Sequence, residues 1–399
     1  MPNSRQWLAA CAVVCLAAAV GCGDKTIRFG AVLPLSGYAE VYGQAIRKGI
    51  ELGYERAKAD PELGSRLELV IVDSGGEPAR AKDELSKLYR DGAMAVIGGV
   101  TSAEALAMVK EADDRQRTLL SPSASSPQLT GISSNFFRVF PSDFAEGTVM
   151  ARYAHDNLRL RVGVVLAKEE TFAKGIQKVF SDEFQRKGGR IEETVEYPEG
   201  TADFAALCER VVTLKPDFVF LAAYAEELSR MIQHLDRLGF SGLVLTTSSF
   251  AAAETIEKTG TAAEGTYYAQ TSFDVEGQLA PQVESFVKAY RAKYQHDPDL
   301  YAAHGFDAFN ILVEAYRQGG TSGLSFWKGM RNVHEFAGVT GSLQFDERGD
   351  VGKFPHVYVV TEGKAVDVEQ QRQKQIEEAR RKMREIEESL RNLQNPPGR

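Results

Sequence analysis

From Ile27 onward, short apolar runs alternate with segments of helical period, and this alternation constrains the fold more than any other feature of the chain. The runs "IRFGAVLPL", "LELVIVD" and "AMAVIGG" predict strands, and segments such as "PARAKDELSKLYRDG" between them predict helices. Repeated units of this kind build a parallel sheet that is covered by helices on both faces. The pattern restarts at "RVGVVLAK", so we predict an α/β fold of two doubly wound, Rossmann-like halves.

Length and charge agree with this division. A chain of 399 residues is too long for one ordinary hydrophobic core, which favours two domains. The formal net charge is −8, whereas proteins that bind nucleic acids usually present a basic face. We therefore expect no nucleic-acid partner.

The N-terminus has the pattern of an export signal. Arg5 precedes the apolar run 7–21, which is too short to span a membrane comfortably, and Cys22 follows it directly. We predict that residues 1–21 are a signal peptide. The ending "AAVGC" resembles the lipobox of bacterial lipoproteins, and this resemblance implies a lipid on Cys22, a tether over residues 22–26 and a membrane-anchored location in the cell envelope. An ordinary secretory signal that is cleaved nearby is the alternative.

Only one cysteine then remains in the folded part. Cys11 and Cys15 lie in the apolar run, and Cys208 lies in a predicted helix. No intrachain disulfide is possible after processing, and we expect Cys208 to be a buried small hydrophobe.

The last part of the chain carries a heptad pattern. Over residues 367–394 apolar residues recur every seven positions in two series, separated by Arg, Lys and Glu. The two series are Ile376, Met383, Leu390 and Ala379, Ile386, Leu393. This charged amphipathic helix either packs on its own domain, pairs with a coiled-coil partner, or stands exposed. Residues 395–399 are predicted to be a disordered tail.

Catalytic and metal-binding motifs are absent from the sequence. The first strand is not followed by G-x-G-x-x-G, and the chain contains neither G-x-x-x-x-G-K-[ST] nor G-x-S-x-G. The six histidines are scattered, without metal-ligand spacing. We therefore predict a protein that is not an enzyme and that has no cofactor and no bound metal.

Two hydroxyl-rich loops follow predicted strands. Thr101 and Glu104 form a T-x-x-E capping box at the start of a helix, and Ser126 before Pro127 resembles a second helix start. Ligands of open α/β sheets bind at the carboxyl ends of strands, and helix N-termini favour anions. Ser102, Ser123 and Ser125 are the residues that could converge there on one carboxylate, unless these loops serve only as caps and turns.

Several stretches resemble one family. They are "FGAVLPLSGYAEVYGQAIRKGIELGYE", "LELVIVDSGGEPARAKDELSKLYRDGAMAVIGGVTSAEA", "LLSPSASSPQLT", "FFRVFPSD", "FVFLAAYAEE" and "PDLYAAHGFDAFNIL". The chain from Ile27 to Val360 is similar to the leucine/isoleucine/valine-binding receptors, the type I periplasmic solute-binding proteins that deliver ligands to ABC transporters.

This resemblance implies two lobes, three crossovers between them, and a ligand that is trapped between the lobes by hinge closure. Lobe 1 is expected to comprise residues 27–142 and 275–350. Lobe 2 is expected to comprise residues 143–274 and 351–366.

The resemblance also implies a set of ligand-binding residues. Hydroxyls and main-chain N–H groups of the two loops would hold a ligand carboxylate, which places Ser102, Ser123 and Ser125 in the site. The pocket aromatics map onto Tyr42, with Tyr38 as the alternative, and onto Phe172, Tyr224 and Tyr301. For each aromatic the alternative is a role in core packing only.

One departure from the family concerns the ligand ammonium group. Family members that bind amino acids place a carboxylate where this chain has Ser248 and Ser249, and no acid occurs between Ser241 and Glu254. An enclosed ammonium without a counter-charge costs several kcal/mol. A carboxylate or amide without an ammonium is therefore as well suited to the site, unless Glu226 or another acid substitutes. The paired cysteines of some relatives are replaced by Gly76 and Thr101.

The resemblance predicts an extracytoplasmic substrate-binding lipoprotein of an ABC transporter, with a small polar solute and a permease as partners. The alternative is a regulatory or sensor lipoprotein of the envelope that acts by protein contact on the same fold. An enzyme with Ser102 or Ser123 as nucleophile would need a nearby base, and no histidine belongs to these loops.

Overall fold

The computed structural model describes residues 26–394, so the predicted signal peptide, Cys22 and the tail after residue 394 lie outside the described residues. Two large sheets form its framework. The first has the strand order β2-β1-β3-β4-β5, and all of its strands are parallel. Its strands are β1 Ile27–Leu33, β2 Leu67–Asp73, β3 Ala95–Gly98, β4 Thr118–Ser121 and β5 Phe136–Arg138.

The second sheet has the order β14-β13-β10-β9-β8-β6-β7. Its strands are β6 Val162–Lys168, β7 Arg190–Tyr197, β8 Phe218–Ala222, β9 Leu243–Thr246, β10 Tyr267–Gln270, β13 His356–Thr361 and β14 Lys364–Asp367. Strands β13 and β14 are antiparallel to their neighbours and extend a sheet that is otherwise parallel. A separate two-stranded ribbon consists of β11 Phe336–Gly338 and β12 Gly341–Leu343.

Helices connect most of the strands. They are α1 Glu40–Lys58, α2 Pro78–Arg90, α3 Ser102–Arg115, α4 Asp143–Arg152, α5 Thr171–Arg186, α6 Ala205–Leu214, α7 Ala225–Arg237, α8 Ala253–Thr259, α9 Pro281–Tyr294, α10 Leu300–Gly319, α11 Gly323–Arg331 and α12 Val368–Gln394. The α/β class with two doubly wound sheets is therefore confirmed. Among the described helices, none is long and apolar enough to cross a membrane.

The chain passes between the two sheets three times. It leaves the first sheet after β5, returns after β10 to α9 and α10, and leaves again after β12 for β13. Three crossings make each half discontinuous in sequence, as the resemblance implied. The individual lobe limits given above remain predictions.

Two glycines allow a close helix contact in the first half. A Cβ atom at Gly49 of α1 would lie 1.9 Å from the carbonyl oxygen of Ala302, and one at Gly305 of α10 would lie 2.3 Å from that of Ile46. Only hydrogen fits at either position, so these glycines allow α1 and α10 to cross in direct backbone contact. This crossing holds Tyr42 of α1 next to Tyr301 of α10, with ring centroids 4.7 Å apart.

The elements that were not predicted from the sequence include β5, β7, β11, β14, α4, α8 and α11. Strand β7 is at the edge of its sheet and alternates between exposed and half-buried residues, so it lacks the continuous apolar run of the central strands. Strands β3 and β4, in contrast, are buried at every residue. Cys208 is buried in α6, as expected.

A buried ion pair joins the first sheet to the third crossing. The guanidinium of Arg138 is fully buried, and it donates to both carboxylate oxygens of Asp350 over 2.7 and 2.8 Å. It also donates to the hydroxyl of Thr130 and to the carbonyl oxygen of Ser126. The pair therefore fixes the loop after β4 against a segment that is more than 200 residues away in sequence.

We predict that Asp350→Asn destabilises the protein by roughly 3 kcal/mol, because it leaves the Arg138 charge buried without a counter-charge. The free energy of unfolding in urea measures this loss. Glu254→Gln, which removes an exposed pair with Lys258, is the control and is expected to leave that free energy unchanged within error. Equal values for the two variants would contradict the prediction.

Candidate ligand-binding site

A small cavity, partly open to solvent, lies between the two sheets. It is lined by Tyr42, Val100, Thr101, Ser102, Ser123, Ser125, Phe140, Phe172, Tyr224, Ser248, Ser249 and Tyr301. All seven residues predicted to contact a ligand are among them, so the structure brings the whole predicted set together. Val100, Thr101 and Phe140 were not predicted as lining residues. Ser248 and Ser249 line the cavity, as the family resemblance implied.

The first turn of α3 forms one wall. The hydroxyl of Thr101 accepts from the N–H of Glu104 over 3.2 Å, and the Glu104 carboxylate accepts from the N–H of Thr101 over 3.0 Å. The predicted capping box is confirmed, and it fixes Ser102 at the start of the helix. The Ser102 hydroxyl oxygen accepts from the N–H of Ser126 over 3.1 Å, which leaves its proton available for an acceptor in the cavity.

The other two predicted serines differ from this arrangement. Ser123 donates its hydroxyl proton to the carbonyl oxygen of Val100 over 2.7 Å, so its hydroxyl oxygen is left as an acceptor. The carbonyl oxygen of Ser125 accepts from the N–H of Asp143 over 2.8 Å. The predicted second helix start after Ser126 is a single 3₁₀ turn, Pro127–Leu129, which is too short to provide a helix dipole.

Aromatic rings form the remainder of the wall. Tyr224 lies between Tyr42 and Phe172, at centroid distances of 6.0 and 5.5 Å. Phe140, in the first crossing, stacks on Tyr301 at 6.1 Å. The lining therefore combines serine and threonine hydroxyls with aromatic rings, which suits a ligand with a polar head and an apolar body.

Two of these tyrosines connect the halves of the protein directly. The Tyr42 hydroxyl donates to the carbonyl oxygen of Ser249 over 2.9 Å and accepts from the N–H of Ala225 over 2.8 Å. The Tyr301 hydroxyl donates to the carbonyl oxygen of Ser248 over 3.0 Å. All three bonds run from helices on the first sheet to loops at the carboxyl ends of strands of the second, so the two halves are in contact across the cavity.

Tyr38, the alternative to Tyr42, does not line the cavity. Its ring lies 4.5 Å from the ammonium nitrogen of Lys168, which is buried and pairs with Glu227 over 3.2 Å. This cation–π contact is a further bridge between the halves, outside the cavity.

Two buried carboxyl groups behind the wall were not predicted. Glu146 of α4 accepts from the N–H of Ser248 over 2.7 Å, and burial raises its pKa to about 7. Asp143 is fully buried, and no hydrogen-bond partner is found for either of its carboxyl oxygens within the described part of the chain. Burial raises the pKa of Asp143 well above its usual range, and the neighbouring Glu146 raises it further. Burial therefore favours the neutral form of both groups.

Glu226, which the sequence offered as a substitute acid, is exposed and pairs with Arg230 over 2.7 Å. It is not among the lining residues of the cavity. Among residues 26–394, no group of three His, Cys, Asp or Glu side chains could hold a metal ion.

Comparisons with known proteins agree with this geometry. The family model described as periplasmic binding protein matches residues 26–367. The chain belongs to the periplasmic binding protein family. Among curated proteins, the leucine-, isoleucine-, valine-, threonine- and alanine-binding protein of Pseudomonas aeruginosa is 23% identical over 331 residues, which are 82% of this chain and 88% of that protein.

Solved structures show the same fold. A leucine-binding protein, LivK, from Thermotoga maritima aligns with a TM-score of 0.81 and 26% identity, over 86% of this chain and 97% of that one. A solute-binding protein of an ABC transporter from R. palustris, solved with benzoate, aligns with a TM-score of 0.77 and 22% identity, over 86% of this chain and 95% of that one. Membership of the periplasmic binding protein family supports a solute-binding role and a location in the periplasm or envelope.

The buried acids predict a pH dependence of stability. From the ordinary pKa of a glutamate, 4.5, up to about 7, folded Glu146 keeps a proton that the unfolded chain has lost. Stability therefore falls as pH rises through this window, by about 3 kcal/mol in total for this group. Glu146→Gln keeps an acceptor for Ser248 and is expected to flatten the fall.

Chemical denaturation at pH 5, 6 and 7 measures this difference. Glu257→Gln, at an exposed position of α8, is the matched control and is expected to keep the slope of the unchanged protein. Parallel slopes for the unchanged protein and Glu146→Gln would show that Glu146 is already ionised at pH 5.

Proposed function

We propose that this periplasmic binding protein is the substrate-binding lipoprotein of an ABC transporter, and that it closes on a small solute with a carboxylate or amide head, an apolar body and no ammonium group. One observation carries the proposal. The lining residues of the cavity include six serine or threonine side chains and five aromatic ones, but no charged side chain.

The part of the cavity next to Ser102 favours a hydrogen-bond acceptor on the ligand. The Ser102 hydroxyl has a proton to donate, and it stands at the N-terminus of α3, where the helix dipole favours negative charge. An ammonium in the same place would meet the positive end of that dipole. Its counter-charge would have to come from Asp143 or Glu146, and burial favours the neutral form of both of these carboxyls.

The ligands named for the relatives support a carboxylate head with an apolar body, and one of them has no ammonium group. The curated relatives carry the names of proteins that bind leucine, isoleucine and valine, which combine a carboxylate with a branched apolar body. The R. palustris protein was solved with benzoate, which has a carboxylate and an aromatic body but no ammonium. The neutral lining of this chain suits the second chemistry.

We predict that 4-methylpentanoate or benzoate stabilises the protein and that leucine, which differs from 4-methylpentanoate by its ammonium, stabilises it less. A ligand at 100 times its Kd adds roughly 2.7 kcal/mol of stability, which a thermal melt of the chain without residues 1–22 detects. Ser102→Ala is expected to weaken carboxylate binding by about 10-fold or more, because a hydrogen bond to a charged group is lost. Ser285→Ala, an exposed position of α9, is the control.

Calorimetry in buffers of different ionisation enthalpy adds a sign test. A carboxylate ligand raises the pKa of nearby Glu146 and causes proton uptake near pH 7, whereas an ammonium lowers that pKa and causes proton release. Proton release together with tighter binding of leucine would show an amino-acid receptor.

A folded protein that binds nothing in the panel would instead support the second candidate, an envelope sensor that acts by contact, which the long exposed helix α12 favours.

Tyr42 gives a separate prediction about closure. Tyr42→Phe removes the bonds to Ser249 and Ala225 across the cavity, each worth about 1 kcal/mol, and so destabilises the closed arrangement. We expect ligand affinity to fall by about 10-fold or more and the radius of gyration in small-angle scattering to increase. Tyr54→Phe removes a tyrosine bond within the first half, to the carbonyl oxygen of Leu67, and is expected to change neither quantity. Unchanged affinity in Tyr42→Phe would refute this role in closure.

A further inference from the structure

Helix α12 is anchored at its first turn only. The Asp367 carboxylate accepts from the N–H groups of Glu369 and Gln370, over 2.9 and 3.2 Å, and the Gln370 side chain donates to Asp274 over 2.8 Å. From residue 372 to residue 387 every side chain is exposed. For these residues, packing on their own domain, one of the three possibilities left open by the sequence, is wrong.

An apolar stripe runs along this exposed helix. Ile376 is 40% exposed, Met383 62%, Ile386 59% and Leu390 53%. The residues Ile376, Met383 and Leu390 are seven apart, and Ile386 follows Met383 by three, which is the spacing of the a and d positions of a coiled coil. This helix of 27 residues contacts the rest of the protein through its first turn and gains little from tertiary packing. Its exposed apolar stripe therefore indicates a binding partner.

The charges of α12 do not suit a lipid surface. Residues 368–394 contain seven basic and six acidic side chains. Helices that lie on anionic membranes are rich in Lys and Arg on their polar face, whereas this helix is nearly neutral. Basic and acidic residues are instead mixed along the helix, as in helices that pair with other helices.

The residues beside the stripe complement a second copy. With Ile376, Met383 and Leu390 at a, Lys382 is at g and Glu387 at e. In a parallel, in-register pair, each g residue faces the e residue five positions later on the other helix, so Lys382 of each copy faces Glu387 of the other. The preceding g and e residues, Gln375 and Arg380, face each other without charge repulsion.

We propose that α12 forms a parallel, in-register coiled coil with α12 of a second copy of this chain, so that two solute-binding bodies are joined at one end. The a and d residues of both helices cover each other, and the two Lys382–Glu387 pairs fix the register. This inference stands apart from the proposed solute, because it rests on α12 and not on the cavity.

Sedimentation velocity over a concentration series of the chain without residues 1–22 tests the proposal. A reversible dimer is expected. Lys382→Glu and Glu387→Lys each place like charges opposite one another and are expected to raise the dimer dissociation constant by about 5-fold or more. The double variant restores opposite charges and is expected to recover the dimer, whereas Lys374→Glu, on the outer f position, is expected to change nothing. Circular dichroism checks that each variant keeps its helix.

Cross-linking separates the possible arrangements. Met383→Cys is expected to form a disulfide between identical positions, because equivalent a residues meet in a parallel pair. Disulfides only between Met383→Cys and Ile386→Cys chains would show an antiparallel pair and overturn the proposed register. A monomer at all concentrations, single charge variants that dimerise normally, or a monomer that binds anionic vesicles through α12 would each overturn the proposal.

Discussion

The arrangement of the site depends on the hydroxyl group of Tyr42. This hydroxyl donates to the carbonyl oxygen of Ser249 and accepts from the N–H of Ala225, so both of its hydrogen bonds join one half of the protein to the other. The ring can reach this position because Gly49 and Gly305 allow α1 and α10 to approach until their backbones touch. The same crossing places Tyr301 for its own bond to Ser248. Helix packing within one half therefore determines how the two halves close.

Two buried acidic residues of α4 also contact both sides of the cavity. The N–H of Asp143 holds Ser125 on one side of the cavity, and the carboxyl of Glu146 holds the N–H of Ser248 on the other. Helix α4 begins directly after the first crossing, so its carboxyls lie close to the boundary between the two halves. Under the proposed function, a ligand charge in the cavity would act on the protonation of these carboxyls and so couple solute identity to pH.

Much of this arrangement follows from the sequence by simple physical rules. Central strands such as β3 and β4 are buried on both faces and therefore appear as continuous apolar runs. The predicted site residues follow from the rule that loops at the carboxyl ends of parallel strands meet at one edge, aided by family resemblance for the aromatics. Edge strand β7 was missed because its burial alternates. Phe140, Asp143 and Glu146 were missed because they lie in or just after a crossing, where no periodic pattern indicates which cavity a residue will face.

Hydrogen-bond direction is a finer property that a sequence pattern cannot provide. Ser102 and Ser123 appear equivalent as hydroxyls near a strand end, but the first accepts a main-chain N–H and the second donates to a main-chain carbonyl. Of these two hydroxyls, only that of Ser102 has a proton that the protein's own hydrogen bonds leave unused, so the two serines offer different groups to a ligand. In a site that is built from neutral groups, the direction of such bonds and the dipole at the N-terminus of α3 decide which ligand groups are favoured. Under the proposed function, this would allow a charged head group to bind although Ser248 and Ser249 stand where the family resemblance implies an acid.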